Sequence, residues 1–85
     1  MRCKLRGKYY TLQFAKLKPG LLGLCDWDKR IITIKPTLSG ELELDVIIHE
    51  LLHACQPDQN EEAIDETASN IARVLTRLGY RRQDS

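Results

Sequence analysis

Apolar residues cluster in short runs in the first half of the chain and recur every three or four positions in the second. Lys8 to Phe14 holds Tyr9, Tyr10, Thr11, Leu12 and Phe14, residues that suit a pleated surface, and the run ends near the turn-forming Lys18-Pro19-Gly20. Leu21 to Trp27 is a second apolar stretch, weakened by Gly23 and the preceding Gly20. Arg30 to Lys35 alternates, placing Ile32 and Ile34 on one face and Ile31, Thr33 and Lys35 on the other. Asp26-Trp27-Asp28-Lys29 predicts a hairpin turn between these two strands, and Pro36, which has no amide donor for a ladder, closes the second.

From Ser39 onward the period changes. Ser39 is an N-cap residue, Glu41 and Glu43 suit the first turn of a helix, and Leu44, Ile47, Ile48, Leu51 and Cys55 recur at helical spacing up to about Gln56. Pro57 separates this helix from a second, which Asp58 and Glu61 would open as a variant of the capping box. Ile64, Thr67, Ala68, Ile71, Val74, Leu75 and Leu78 form its apolar stripe, and Gly79 follows as the residue that ends it. The expected architecture is a single α+β domain over residues 1–85: a small antiparallel sheet of two to three strands followed by two packed helices.

Composition narrows the class. With 85 residues the core is small, so any ligand bound only by the native state adds noticeably to stability. No apolar run approaches the roughly 20 residues of a membrane helix, so no membrane partner is expected. The basic start, Met1-Arg2-Cys3-Lys4-Leu5-Arg6, lacks the apolar stretch of a signal peptide, and a cytoplasmic protein is the simplest reading. The net charge of +1 argues against bulk attraction to nucleic acid. Two basic clusters, Arg2, Lys4, Arg6 and Lys8 at one end and Arg73, Arg77, Arg81 and Arg82 at the other, read first as solvated surface. They also leave a nucleic-acid-associated role as a lesser alternative, one that predicts binding weakened steeply by salt. Cys3, Cys25 and Cys55 contain no C-x-x-C pair and read as buried thiols behaving as small hydrophobes rather than as a zinc ribbon or a disulfide scaffold.

The chemistry lies in His49-Glu50-Leu51-Leu52-His53, an H-E-x-x-H motif on the first helix, which takes up both histidines of the chain. Residues four apart share a helix face, so the two imidazoles can converge on one ion, and zinc suits such neutral nitrogen ligands. Glu50 is placed to take a proton from a water activated by that metal. The histidines lie away from the Leu44-Ile47-Ile48-Leu51-Cys55 face, which is not where core histidines would sit. A tetrahedral site that also binds water needs a third protein ligand. With no third histidine, the acidic first turn of the second helix is the source: Glu61, which borders the apolar stripe, or alternatively Glu62. Asp65 and Glu66, each four residues further on, can accept a hydrogen bond from the far nitrogen of a liganding histidine.

With these residues laid out, the chain resembles the gluzincin branch of the zincin metallopeptidases, in particular the minimal minigluzincins, over roughly residues 24 to 79. That branch joins H-E-x-x-H on one helix to a glutamate ligand on the next. Thermolysin-like enzymes write the second part as N-E-x-x-x-D, which Asn60, Glu61 and Asp65 match. The resemblance implies one zinc per chain held by His49, His53 and Glu61, with Glu50 as general base in peptide-bond hydrolysis. It also implies an edge strand that holds extended substrate, for which Arg30 to Lys35 is the expected segment. The "HELLHA" helix and the closing "LGYR" stretch also look like small phage-encoded proteins of this type, which would place the protein in host cytoplasm. Family enzymes often add a residue that stabilises the oxyanion, and here Tyr9, Tyr10, Tyr80 or an arginine is left for that role. The interval from His53 to Glu61 is far shorter than in thermolysin-like enzymes, so a tight helical hairpin must build the site. The alternative is a structural zinc protein or binding module without turnover, closed by a fourth ligand such as Cys55 or a second carboxylate.

Overall fold

The computed structural model describes residues 1–83. Four strands, β1 (Arg2–Leu5), β2 (Lys8–Phe14), β3 (Gly23–Asp26) and β4 (Ile31–Ile34), precede two helices, α1 (Gly40–Cys55) and α2 (Glu61–Arg77). The strands form one sheet in the order β1-β2-β4-β3. It is mixed rather than antiparallel: β1 with β2 and β3 with β4 are antiparallel pairs, while β2 and β4 run parallel with Leu12 opposite Ile32. β1 lies outside the expected two to three strands. Its alternation of Arg2 and Lys4 outward with Cys3 and Leu5 inward is clear, but four residues beside charged neighbours give a weak signal.

The same pairing corrects the expected edge. Arg30 to Lys35 does not form a border strand, because β4 is hydrogen-bonded on both sides and carries the fully buried Ile32 and Ile34. β3 is the border strand on that side instead, as β1 is on the other. Gly23 and an exposed Leu24 are tolerable at a border, whereas two solvent-excluded isoleucines are not.

α1 crosses the inner face of the sheet, where Val46 and Ala54 join Tyr10, Leu12, Ile32 and Ile34 in the core. Its deepest line is Glu43, Val46, Glu50 and Ala54, with Ile47 and Leu51 beside it. The expected stripe is therefore rotated, and Leu44, Ile48 and Cys55 are only half-buried. The reason is that α1 lies between two neighbours, with the sheet against one side and α2 against another. α2 makes contact with α1 through Ile64, Ala68 and Ala72, all essentially solvent-free, and the two alanines let the helices approach closely. Ile71, Val74 and Leu78, expected in this contact, are exposed. The N-cap of α2 is Asn60, whose Oδ1 accepts from the Ala63 amide at 2.8 Å, rather than Asp58. Asp58 belongs to the turn after Pro57. Gly79, at φ +91°, takes the left-handed position after the helix. Beyond it Arg82 folds back, donating from Nε to Glu43 Oε2 at 3.2 Å while its guanidinium lies 4.2 Å from the centre of the Phe14 ring. Among the described residues no helix is long and apolar enough to cross a membrane.

Candidate metal centre

The tight hairpin from α1 into α2 brings the start of α2 over the last two turns of α1. His49 and His53 stack four residues apart on the α1 face that meets α2, both side chains mostly covered. Their Nε2 atoms stand 3.1 Å apart. The Glu61 carboxylate spans them, with Oε1 at 3.0 Å from His49 Nε2 and Oε2 at 3.1 Å from His53 Nε2. A tetrahedral zinc ion with bonds of about 2.0–2.1 Å spaces its ligand atoms roughly 3.3–3.4 Å apart, and one ligand atom from each of His49, His53 and Glu61 lies within 4.8 Å of the others.

The other side of His49 sharpens the point. Asp65 Oδ1 lies 3.0 Å from His49 Nδ1, at the distance from which a carboxylate accepts a proton carried on that nitrogen. With a proton on Nδ1, the His49 ring offers a lone pair at Nε2, which lies 3.0 Å from Glu61 Oε1 and 3.1 Å from His53 Nε2. Two imidazole nitrogens and a carboxylate this close are held together either by a proton on an imidazole nitrogen or by a metal ion among them. Two imidazole nitrogens and a carboxylate, with one imidazole fixed in its tautomer by a second carboxylate, make a donor set that fits zinc.

Among the described residues, His49, His53 and Glu61 form the cluster able to hold a metal ion, and Cys55 is not part of it. Glu62 and Glu66 are exposed on α2, and the short contacts of the histidines go to Glu61 and Asp65 instead.

Glu50 points from the same helix toward β3. It is 8% exposed, and burial pushes its carboxyl above the usual carboxylate range, His49 and His53 pulling it back down and Glu61 adding to the rise. Gly23 makes room for it. A Cβ at that position would stand 2.8 Å from Val46 Cγ1 and 2.9 Å from both Cγ and Oε2 of Glu50. A glycine that weakened the sequence signal for β3 is thus what lets the strand lie against the glutamate.

Two shallow cavities flank the cluster along β3. One, about 330 Å³, is walled by Leu21, Leu22, Leu42 and Val46, with His49 and Glu50 at its end. The other, about 250 Å³, runs past Leu24, Cys25 and Trp27 to His53 and Glu61. The sequence pattern places Trp27 at the end of an apolar stretch and in the turn that follows it. The indole Nε1 of Trp27 donates to the His53 carbonyl at 2.9 Å and its ring meets the His53 imidazole edge-on, so it braces His53. Nothing in the sequence pattern links residues 27 and 53, which lie on different elements. Burial pushes the Cys25 thiol up to about 11, with Glu50 and Asp26 adding to the effect.

The tyrosines expected near a substrate carbonyl are elsewhere. Tyr10 is buried in the core, and Tyr9 and Tyr80 are exposed away from both cavities. Neither cavity is lined by an arginine. In comparisons with known proteins the chain matches no family model, no curated protein and no solved structure, so the functional reading rests on this geometry.

Proposed function

We propose that the protein is a zinc-dependent peptide hydrolase in which His49, His53 and Glu61 hold the metal and Glu50 handles the proton. The observation that carries this reading is the convergence of two Nε2 atoms and one carboxylate to within 3.0–3.1 Å of one another, with Glu50 beside them against a free strand edge. Zinc bound there supplies a Lewis acid for the substrate carbonyl and makes water a nucleophile near neutral pH.

The chain's own groups do the rest. Glu50, enclosed between α1 and Gly23, takes the proton of the attacking water and delivers it to the leaving amine. Asp65 keeps His49 in the tautomer that offers Nε2. The unpaired edge of β3 offers backbone hydrogen bonds to an extended peptide laid along the two cavities, whose walls accept apolar side chains.

The test is turnover of a mixed peptide substrate by zinc-loaded protein and by Glu50→Gln. The variant is expected to keep its zinc and lose at least about 100-fold in rate. Equal rates in the two proteins would remove Glu50 from the mechanism. A metal-holding module without turnover is the second reading, favoured by one observation: no tyrosine or arginine lines the cavities to stabilise an oxyanion. Full zinc occupancy with no hydrolysis by either protein would select it.

A further inference from the structure

The net charge of +1 conceals a strong separation. Residues 1–40 carry nine Lys or Arg against Asp26 and Asp28, while residues 41–85 carry four against ten Asp or Glu. The sheet half is therefore basic and the helical half acidic. The acidic half holds the histidine cluster, as a cation site requires. The basic half faces the opposite way, and the metal reading does not use it.

The outer face of the sheet is where that charge is displayed. α1 covers the inner face and α2 packs on α1, so no helix covers the outer one. The alternation of each strand sorts its residues. β1 turns only Arg2 and Lys4 outward, β2 turns out Tyr9, Thr11 and Gln13, β3 turns out Leu24 and, at its far end, Asp26, and Lys35 follows β4 on the same side.

The register assembles these into a platform. Lys4 is opposite Tyr9, Arg2 is opposite Thr11, and Gln13 is opposite Thr33, to whose hydroxyl its amide donates at 3.1 Å. Tyr9 is 54% exposed at its centre, with the Arg2 guanidinium 4.5 Å and the Lys4 ammonium 5.7 Å from the ring centroid. The turns at one end of the sheet, β1 to β2 and β3 to β4, add Arg6, Lys8, Lys29 and Arg30 as a basic rim.

We propose that this outer face binds single-stranded nucleic acid, with Arg2, Lys4 and Lys35 against phosphates and the Tyr9 ring stacked on a base. The features fit that occupant better than a membrane. An exposed aromatic ring with a guanidinium and an ammonium over it, and hydroxyl and amide groups on the same sheet face, offers stacking, charge neutralisation and hydrogen bonding. A membrane-binding face would instead set several large apolar side chains among its cations, whereas here Tyr9 and Leu24 are the large exposed ones. The surface lies across the sheet from the histidine cluster, so the proposal is independent of the peptidase reading.

The test is fluorescence anisotropy of a short labelled oligodeoxythymidine mixed with the full chain across a salt series. Three phosphate contacts on a single strand give a slope of log K against log salt of about −2, a loss of about 20-fold between about 50 and 200 mM. The double variant Arg2→Glu/Lys4→Glu is expected to weaken binding at least about tenfold and flatten the slope, while zinc uptake is unchanged. Tyr9→Ala is expected to lose about fivefold or more, and Tyr9→Phe to retain binding. Circular dichroism of each variant separates loss of binding from loss of fold. Three results would each overturn the proposal: no binding at low salt, equal binding by the folded charge-reversed protein, or binding to phosphatidylserine vesicles but not to the oligonucleotide.

Discussion

Gly23→Ala tests whether the packing of β3 against α1 sets the position of Glu50. The backbone at Gly23 is outside the left-handed region, so alanine is allowed there conformationally. Its shorter list of unfolded conformers even favours folding by about 0.4–1 kcal/mol. Against that stands steric overlap. The new methyl would lie 2.8 Å from Val46 Cγ1 and 2.9 Å from Glu50 Cγ, where carbons rest comfortably at about 3.5–4.0 Å. Both atoms sit near the α1 backbone, so relief requires strand and helix to separate by several tenths of an ångström. Overpacking of this kind costs about 1–3 kcal/mol, which outweighs the entropic gain and leaves a net loss of about 1–2 kcal/mol. At about 2.1 cal/mol/K per residue of unfolding entropy, that lowers Tm by about 5–11 °C. The displaced group is Glu50, whereas Glu61 and Asp65 approach from α2, so zinc affinity is expected to hold while kcat falls. Thermal melts, zinc titration and peptide turnover on the one variant give all three readouts. A Gly23→Ala protein as stable and as active as the parent would refute the argument that a bare backbone is needed there.

Other consequences follow from single contacts. Asp65→Ala is expected to weaken zinc binding by about 10–100-fold, whereas Glu62→Ala and Glu66→Ala leave it unchanged, as competitive chelator titration will show. Arg82→Ala strands the buried Glu43 carboxylate. Because Arg82 is partly exposed, the expected cost is about 1–2 kcal/mol rather than the full penalty of a buried pair. Adding Glu43→Gln is expected to restore most of the lost Tm, and an unshifted melt for the single variant would dismiss the contact. Cys25, with its pKa raised to about 11, is expected at about pH 8 to be alkylated by iodoacetamide about a hundredfold more slowly than an ordinary exposed thiol. The rate should climb as pH approaches 11, and a rate at pH 8 matching that of the unfolded chain, read by mass spectrometry, would contradict the burial argument.

What could be read from the residues follows their range of interaction. The strand from Lys8 to Phe14, the helix after Ser39 and the glycine stop at Gly79 depend on neighbours within a turn or a pleat, and all appear where their local chemistry puts them. The geometric grouping of His49, His53 and Glu61 was legible for a related reason: i and i+4 share a helix face, and Pro57 forces the chain back within a few residues.

Features set by distant partners were hidden. The parallel pairing of β2 with β4, and hence the edge position of β3, depends on which strand lies outside which after a crossover. The rotation of the buried line of α1 to Glu43, Val46, Glu50 and Ala54 depends on its having the sheet and α2 as separate neighbours. A glutamate on the core line argues against burial in a one-helix view, and it becomes intelligible only with Gly23 and the histidines around it. Trp27 and Arg82, each reaching more than twenty residues along the chain for its partner, left no periodic trace. Asp58 and Asn60 both have the chemistry of an N-cap, and where the turn after Pro57 ends chose between them.

The most direct test of the account is the zinc content of the purified protein after saturation and exhaustive dialysis, measured beside Glu61→Ala and Glu62→Ala. About one zinc per chain in the parent and in Glu62→Ala, with its loss from Glu61→Ala, is the predicted result. Absence of zinc from the parent, or its undiminished retention by Glu61→Ala, would contradict a centre built from His49, His53 and Glu61.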